Sequence, residues 1–344
     1  MTRCIVTGAT GFIGRRLVHQ LLCDGHSVKA MLQTGDSGNG LDSRVASFRA
    51  DVTRRETLDG QFADCDVVFH LAGCTIARSK NEFDLVNHRG TLNVARACAK
   101  EDRPPLFLFV SSLAAAGPSQ PAKPHVESDL PQPVSDYGRS KRDAEMGLLE
   151  MADRISIRIA RPPSVFGDTD PYLLSLFKAA KFGLVLKAGP GTPSYSYIHV
   201  DDLVRALIHI AECPSVQVCD SDRGNAAADG SSRLRPELVY VAHRPPLTFP
   251  QVAALVAEAV GTNVVRQIRI PTSLCWTLAF MNSLGARLFR LRPLLNLDKM
   301  REGMAGSWTC DPKRLTEDWG FEFPTPLETQ IRETAKSYQA MGKI

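Results

Sequence analysis

Three glycines, Gly8, Gly11 and Gly14, stand between an apolar run, Cys4–Val6, and an amphipathic stretch, Phe12–Cys23. The segment reads Thr7-Gly8-Ala9-Thr10-Gly11-Phe12-Ile13-Gly14. Gly8 permits a tight turn out of a strand. Gly11 lets backbone approach a ligand with no Cβ in the way, and Gly14 lets the following helix lie close to the sheet. The first N–H groups of that helix lack intrahelical partners, and its dipole is positive there. A diphosphate complements such an end. The spacing and its strand–turn–helix setting therefore predict a dinucleotide held by Gly8, Thr10, Gly11, Phe12, Ile13 and Gly14. The alternative is a glycine-rich turn with no ligand.

The alternation that begins there continues. Leu17, Val18, Leu21 and Leu22 form the apolar stripe of Phe12–Cys23, and Gly25 ends it as a C-cap would. Further strands are expected at Ser27–Leu32, Val45–Arg49, Val67–Leu71, Leu106–Val110 and Ile155–Ile159, with helices near 55–60, 87–100 and 137–152. Strands apolar on both faces that alternate with helices predict a Rossmann-type α/β fold, a parallel sheet covered by helices on both faces. Past residue 165 the rhythm breaks. Helices are expected at Leu173–Phe182 and Asp201–Ala211, and a strand at Val239–Val241. Thr248 and Gln251 have capping-box spacing, and Gly261 closes that helix. Thr325, Pro326 and Glu328 repeat the signal as cap, first position and third position. The expected division is a core dinucleotide-binding Rossmann region over 1–165, to which segments near 195–215 and 238–243 return. A smaller C-terminal substrate lobe comes mainly from 166–194 and 244–344. Residues 220–236, rich in Gly, Ala, Ser, Asp and Arg, read as a surface loop.

Composition excludes several classes. Of 344 residues, 44% are hydrophobic and 23% charged, and the net charge of +4 is spread out, with no basic stripe for nucleic acid. Arg287, Arg290 and Arg292, the densest basic group, are interleaved with Leu288, Phe289 and Leu291 and read as a solvated helix face or end. The nine cysteines form no CxxC pair and no zinc spacing, so free thiols and no metal are expected. The chain opens almost at once into a strand, without a basic-then-apolar leader, so a cytoplasmic protein is expected. No membrane span is expected. Residues 272–291 come closest, but Ser273, Asn282, Ser283 and Arg287 interrupt them, and a buried or lid helix is the expectation.

Tyr137 and Lys141 stand four apart at a helix start and so share a face. Taken alone, that pair also fits an ordinary surface helix; the upstream turn gives it another meaning. A free tyrosine has a pKa of about 10, and a nearby ammonium favours the phenolate. The pair then makes a workable acid/base. Ser112 follows the fifth strand, at the sheet edge where α/β folds place ligands.

These residues resemble the extended short-chain dehydrogenase/reductase family (the NAD-dependent epimerase/dehydratase superfamily), and the resemblance runs through nearly the whole chain. Its signature turn is matched by Thr7 to Gly14. Asp51-Val52, His70-Leu71-Ala72-Gly73, Asn87 with Gly90 to Asn93, Arg161-Pro162-Pro163, Val165-Phe166-Gly167 and Tyr197 to Asp202 match its later motifs, as do Trp308-Thr309 and the stretch from Gly320 to Pro326. The resemblance implies a Ser112–Tyr137–Lys141 catalytic set. It also implies cofactor contacts by Asp51, Val52, Leu71, Ala72, Gly73, Asn87, Tyr137, Lys141, Pro162 and Val165. Ser112 would hydrogen-bond the substrate oxygen, with Ser111 the less favoured candidate. His199 reads as a structural residue near the cleft, and Asp201 and Asp202 as capping and bracing groups rather than a metal pair.

The cofactor is NADP or NAD. No carboxylate follows the second strand before Asp36, and Lys29 corresponds to a basic position in several NADP-using relatives, which leans slightly toward NADP, although Gln33 stands where those relatives often have Arg. The substrate is a small molecule. Ser164 and Tyr195 stand where the nucleotide-sugar branch carries Asn and a pyrophosphate-clamping Arg, and Leu113, Ala114 and Ala115 replace the acidic pair of dehydratases. The nearest branch by resemblance is that of 3-beta-hydroxysteroid dehydrogenases and dihydroflavonol reductases. It implies an oxidoreductase that interconverts a secondary alcohol and a ketone on a hydrophobic substrate. The alternatives are a nucleotide-sugar 4-epimerase and a catalytically silent dinucleotide-binding regulatory protein. A homodimer through the helices at 87–100 and 137–152 is the family expectation.

Overall fold

The computed structural model describes residues 1–120, 122–189, 191–214, 237–262, 266–288 and 296–344. Apolar residues make up half or more of each of β1 (Arg3–Thr7), β2 (Ser27–Leu32), β3 (Ala46–Arg49), β4 (Val67–His70), β5 (Leu106–Val110) and β6 (Ile157–Arg161). Every residue of β4 and β6 is buried, as expected of strands covered on both faces. Beyond them lie β7 (Ser164–Phe166), β8 (Leu184–Ala188), β9 (Ser194–Tyr195), β10 (Tyr197–His199), β11 (Glu237–Tyr240), β12 (Leu247–Thr248) and β13 (Arg266–Ile270). Strands β1–β6 and β11 make one parallel sheet in the order β11-β6-β5-β4-β1-β2-β3. The strand order reverses between β1 and β4, which opens a crevice beyond their carboxyl ends. The glycine-rich turn leaves β1 at that point. The remaining strands pair in twos: β7 with β10, β9 with β12, and β8 with β13.

Helices α1 (Phe12–Cys23), α2 (Lys80–Phe83), α3 (Gly90–Cys98), α4 (Leu113–Ala116), α5 (Asp136–Leu149) and α6 (Pro171–Lys181) come first. After them come α7 (Val200–Glu212), α8 (Phe249–Ala259), α9 (Thr272–Leu288), α10 (Leu297–Met304) and α11 (Leu327–Ala340). One face of the sheet packs Val6, Val28 and Leu108 against Leu17 and Leu21 of α1 and Leu203 and Leu207 of α7. Leu315, Trp319 and Phe321, from late in the chain, join that core. The opposite face packs Ile5, Val68 and Phe107 against Leu92 of α3 and Leu148 of α5. A third core, with Phe177 of α6, Val256 of α8 and Ile331 and Tyr338 of α11, builds the C-terminal lobe.

The structure moves several expected elements. The sixth strand is Ile157–Arg161 rather than Ile155–Ile159. It carries two buried arginines, Arg158 and Arg161, that ion-pair with Glu237 and Glu145, and an apolar pattern does not register such charges. The helix expected near 55–60 is one 3₁₀ turn, Arg55–Thr57. The helix expected over 87–100 is α3, entered from α2 through a π turn at Asp84–Arg89. The capping box on α8 forms, with the Thr248 N–H donating to Gln251 Oε1 at 2.7 Å. The second such signal does not: Pro326 takes the cap position with ψ 144°, Thr325 lies outside the helix, and α11 has no side-chain cap. Proline's φ suits the cap as well as the first helical position, so sequence alone misplaces this start by one residue. The β8–β13 pair went unforeseen, because its strands meet across about 80 residues of chain. Helix α9, expected to be buried or a lid, buries Cys275 and Ala279 but leaves Leu274, Leu278, Phe280, Met281 and Leu284 exposed. The loop expected at 220–236 falls outside the described residues.

Candidate active site

Gly8 has φ +69°, and a Cβ there would lie 2.9 Å from the backbone of Leu71 and Ala72. A Cβ on Gly14 would lie 2.1 Å from Gly8 O. Both positions require glycine on packing grounds. Gly11 caps α1 without a side chain, so the helix start faces the crevice through backbone N–H groups. The Thr7 hydroxyl accepts from Ala72 N–H at 3.1 Å and holds the Leu71-Ala72-Gly73 loop beside the turn. These features form the cradle that a dinucleotide pyrophosphate fits.

A buried polar chain runs from this turn to α5. His70 Nε2 lies 3.0 Å from Thr91 Oγ1, and the Thr91 hydroxyl donates to Asn87 O at 2.6 Å. Thr91 has spent its proton, so His70 must donate through Nε2 and accept from Thr7 Oγ1 at Nδ1, 2.8 Å away. His70 is thereby neutral, and complete burial, with the Lys141 charge nearby, lowers its pKa to about 3. Asn87 Nδ2 donates to Cys74 O at 2.9 Å and to Ser140 Oγ at 3.0 Å, while Oδ1 accepts from Cys74 N–H at 2.8 Å. Ser140 Oγ donates to Tyr137 O at 2.7 Å. The Asn87 carboxamide thus ties the loop after β4 to the helix that carries Tyr137 and Lys141.

Ser135 caps α5, and Tyr137 and Lys141 lie in its first two turns, both buried. Lys141 Nζ donates to Val110 O at 3.0 Å, at the end of β5, and sits 4.7 Å from the Phe109 ring centroid. Burial pulls its pKa down to about 8, against the opposing pull of Cys74 and Glu145. The Tyr137 ring packs with Ala77, Phe83 and Ala114, against partly buried Cys74 and Trp308. Ser112 begins α4 at the same sheet edge, and its hydroxyl accepts from Ala114 N–H at 3.1 Å. Ser111 is spent elsewhere: its hydroxyl donates to Glu145 Oε1 at 2.5 Å, inside a buried cluster with Arg161 and Tyr240. Pro162 adjoins Ser112 through its carbonyl, which accepts from Leu113 N–H at 2.8 Å.

A contribution from the C-terminal lobe was invisible in the sequence. Asp298 of α10 accepts from the Asp136 N–H at 2.6 Å and the Tyr137 N–H at 3.2 Å. Glu302 accepts from Ser135 Oγ at 2.6 Å, and Lys299 Nζ, ion-paired to Glu302 at 2.8 Å, lies 4.9 Å from the Tyr137 ring centroid. Helix α10 therefore caps the candidate catalytic helix and sets a cation over the candidate tyrosine. No motif marks these residues, since an acid–lysine run on a helix is ordinary.

The model of the NAD dependent epimerase/dehydratase family matches residues 4–219. The chain belongs to that family. Along 98% of its length it is 28% identical to a ceramide reductase from Caulobacter vibrioides, covering 94% of that protein. It is 24% identical to 3beta-hydroxysteroid-dehydrogenase/decarboxylase isoform 1 of Arabidopsis thaliana, over 97% of this chain and 79% of the relative. Among solved structures, UDP-glucose 4-epimerase from Thermotoga maritima, determined with UDP-glucose, superposes with a TM-score of 0.75 at 22% identity, covering 99% of each chain. That likeness is one of fold. Family and fold together make the chain an NAD(P)-dependent enzyme of the dehydrogenase/epimerase kind.

Within this family's frame, all but one of the residues expected to meet cofactor lie on or beside the carboxyl end of the sheet. Asp51 and Val52 follow β3, where Asp51 Oδ1 accepts from the N–H and hydroxyl of Thr53, each at 2.8 Å. Ile13 and Val165 pack on the first core, and a Cβ on Gly167 would meet the Phe12 ring at 3.3 Å. Lys29 is the exception. It stands in the middle of β2 with Nζ 4.7 Å from the Phe48 ring centroid, away from the edge where an adenosine ribose would lie. Asp36 takes the edge instead: its Oδ2 accepts from Thr10 Oγ1 at 2.6 Å, and that bond together with Gly38 N–H lowers its pKa. His199 caps α7 by accepting from Asp201 N–H at 3.3 Å. Asp202 accepts from His243 Nε2 at 2.7 Å and Gln330 Nε2 at 2.6 Å, bracing α7 to α11. Among the described residues no group of His, Cys, Asp and Glu could hold a metal ion.

Proposed function

We propose that the protein interconverts a secondary alcohol and a ketone on a hydrophobic substrate, using Ser112, Tyr137 and Lys141. The observation that carries this reading is the apolar enclosure of the Tyr137 ring by Ala77, Phe83, Ala114 and Trp308. When bound, the nicotinamide supplies or accepts the hydride. Tyr137 exchanges a proton with the substrate oxygen. The Lys141 and Lys299 ammonium groups favour its phenolate, and Ser112 donates a hydrogen bond to the same oxygen. The ceramide reductase and hydroxysteroid dehydrogenase relatives support a lipid-like substrate. The basis for preferring NADP weakens with Lys29 placed on Phe48, and a carboxylate at Asp36 favours the free 2′-hydroxyl of NAD.

A nucleotide-sugar 4-epimerase is the second reading, favoured by the end-to-end superposition on UDP-glucose 4-epimerase. It needs the same hydride site and room for a ketone to turn. Calorimetry on cofactor-saturated protein separates the two. Binding of hydrophobic ketones or alcohols, followed by absorbance change at the reduced nicotinamide band, supports the first; micromolar binding of a UDP-sugar overturns it. Under the first reading Tyr137→Phe loses about 100-fold or more of turnover while keeping cofactor affinity. Wild-type turnover in that variant would remove Tyr137 from the mechanism.

A further inference from the structure

Exposed apolar side chains gather in one stretch of the C-terminal lobe. Phe182, 79% exposed, projects from the turn between α6 and β8. Leu184 and Leu186 of β8 and Ile268 of β13 are also exposed. Register places Leu186 opposite Ile268 and Leu184 opposite Arg266, on one face of the strand pair. Ile270, two residues on from Ile268, shares that face and packs against Cys275 and Ala279 on the inner side of α9. The strand pair and α9 therefore adjoin. At 100° per residue, Met281 and Leu284 lie opposite Cys275 and Ala279 on α9, with Leu274 and Phe280 to either side and exposed Leu278 at the edge of that face. Met281 is 60% and Phe280 54% exposed. A helix apolar on both faces is expected to be covered on both, and a patch of this breadth marks an interaction site.

Charge identifies what covers it. The sequence contains no Asp or Glu from Ala259 to Leu297, and none from Pro171 to Val200. Those stretches carry exposed Lys178, Lys181 and Arg266, and Arg266 shares the face of Leu184 and Ile268, while Arg269 lies on the opposite face and Lys187 is buried. The Arg266 N–H bonds Gly183 O, which sets that arginine beside Lys181 and Phe182. The next acids along the chain, Asp298 and Glu302, turn inward to α5. A two-fold contact between copies would set this cationic face against itself. A bilayer of anionic phospholipid complements both its charge and its apolarity.

We propose that α9 and the apolar face of β8–β13 dock on an anionic membrane surface. No helix among the described residues is long and apolar enough to cross a membrane, so the contact is interfacial. Met300 of α10 packs with Cys275 and Ala279 of α9, and α10 caps the helix of Tyr137. Docking would thus set the candidate site one helix from the lipid phase.

The test is sedimentation of the full chain with vesicles of phosphatidylcholine alone and of phosphatidylcholine with phosphatidylglycerol, read without turnover. Its outcome is therefore separate from that of the alcohol–ketone reading. Partition into anionic but not neutral vesicles is expected. Leu278→Glu with Met281→Glu, and separately Lys181→Glu with Arg266→Glu, should each reduce it at least about tenfold while dinucleotide affinity is unchanged. The idea is overturned by failure of the wild-type protein to bind anionic vesicles, or by equal binding of wild type and both variants. It is also overturned if the substitutions dissociate an oligomer and leave partition intact, which would make the face a protein contact.

Discussion

At the scale of single residues, the site depends on side chains held neutral or half-neutral by burial. His70 illustrates the consequence. Folded, its pKa is about 3; in an unfolded chain it returns to the ordinary 6.5. Between those values the unfolded state binds the extra proton, so stability from this group is complete above about 6.5 and is lost as pH falls toward 3. Each pH unit in that window costs about 1.4 kcal/mol per proton. His70→Gln should flatten the acid limb of a denaturation series by up to one proton. An unchanged slope would mean that His70 is not the neutral link between Thr7 and Thr91. The same logic governs Lys141, whose proton leaves near pH 8, well below the ordinary 10.5. The folded state there carries the cost of a buried ammonium until the pH rises through that range. Tyr137 and Lys141 were legible because their spacing is local. Asp36 was not, because nothing local links it to Thr10, 26 positions earlier.

At the scale of elements, α5 is fixed from three sides. Glu145 pairs with Arg161 of β6, Gly147 packs tightly on Leu92 of α3, and Asp298 caps the first turn from α10. The Glu145–Arg161 pair is nearly fully buried, so Glu145→Ala leaves an uncompensated guanidinium and should cost about 3–5 kcal/mol in chemical denaturation. A cost within experimental error would show that Arg161 finds another partner. Asp298→Ala removes only a cap. About 0.5–2 kcal/mol of stability is expected, together with lower turnover at unchanged cofactor affinity. Lys299→Met should move the ascending limb of the pH–rate profile upward, and Lys299→Arg should restore it; a fixed limb would exclude Lys299 from the tuning of Tyr137. Most helices and sheet strands could be read from apolar periodicity. The paired arginines of β6 and the π turn before α3 could not, because their energetics are settled by partners rather than by their own pattern.

At the scale of the whole molecule, two exposed apolar surfaces stand apart among the described residues. One is the cationic apolar face of the C-terminal lobe. The other lies on the sheet-packing helices, where Met146 and Leu149 of α5 are about half exposed with Leu85 nearby in sequence to α3. The family resemblance expects a dimer through α3 and α5. Light scattering should then give twice the chain mass, and Met146→Glu with Leu149→Glu should reduce it to one. A monomer in the wild type would remove that expectation without touching the vesicle result.

Sequence by itself determined the glycine-rich turn, the alternating parallel architecture and the Tyr–Lys helix, because each is written in spacings of a few residues that backbone geometry translates directly. Tertiary structure alone decided which groups serve those features. It put Lys29 onto Phe48 rather than at the ribose edge, brought Asp36 to Thr10, and carried Asp298 and Lys299 across about 160 residues of chain to Tyr137. It also left the outer face of α9 uncovered. Contacts between distant segments have no period along the chain, and burial is set by the complete packing of the fold, so neither has a local signature to read.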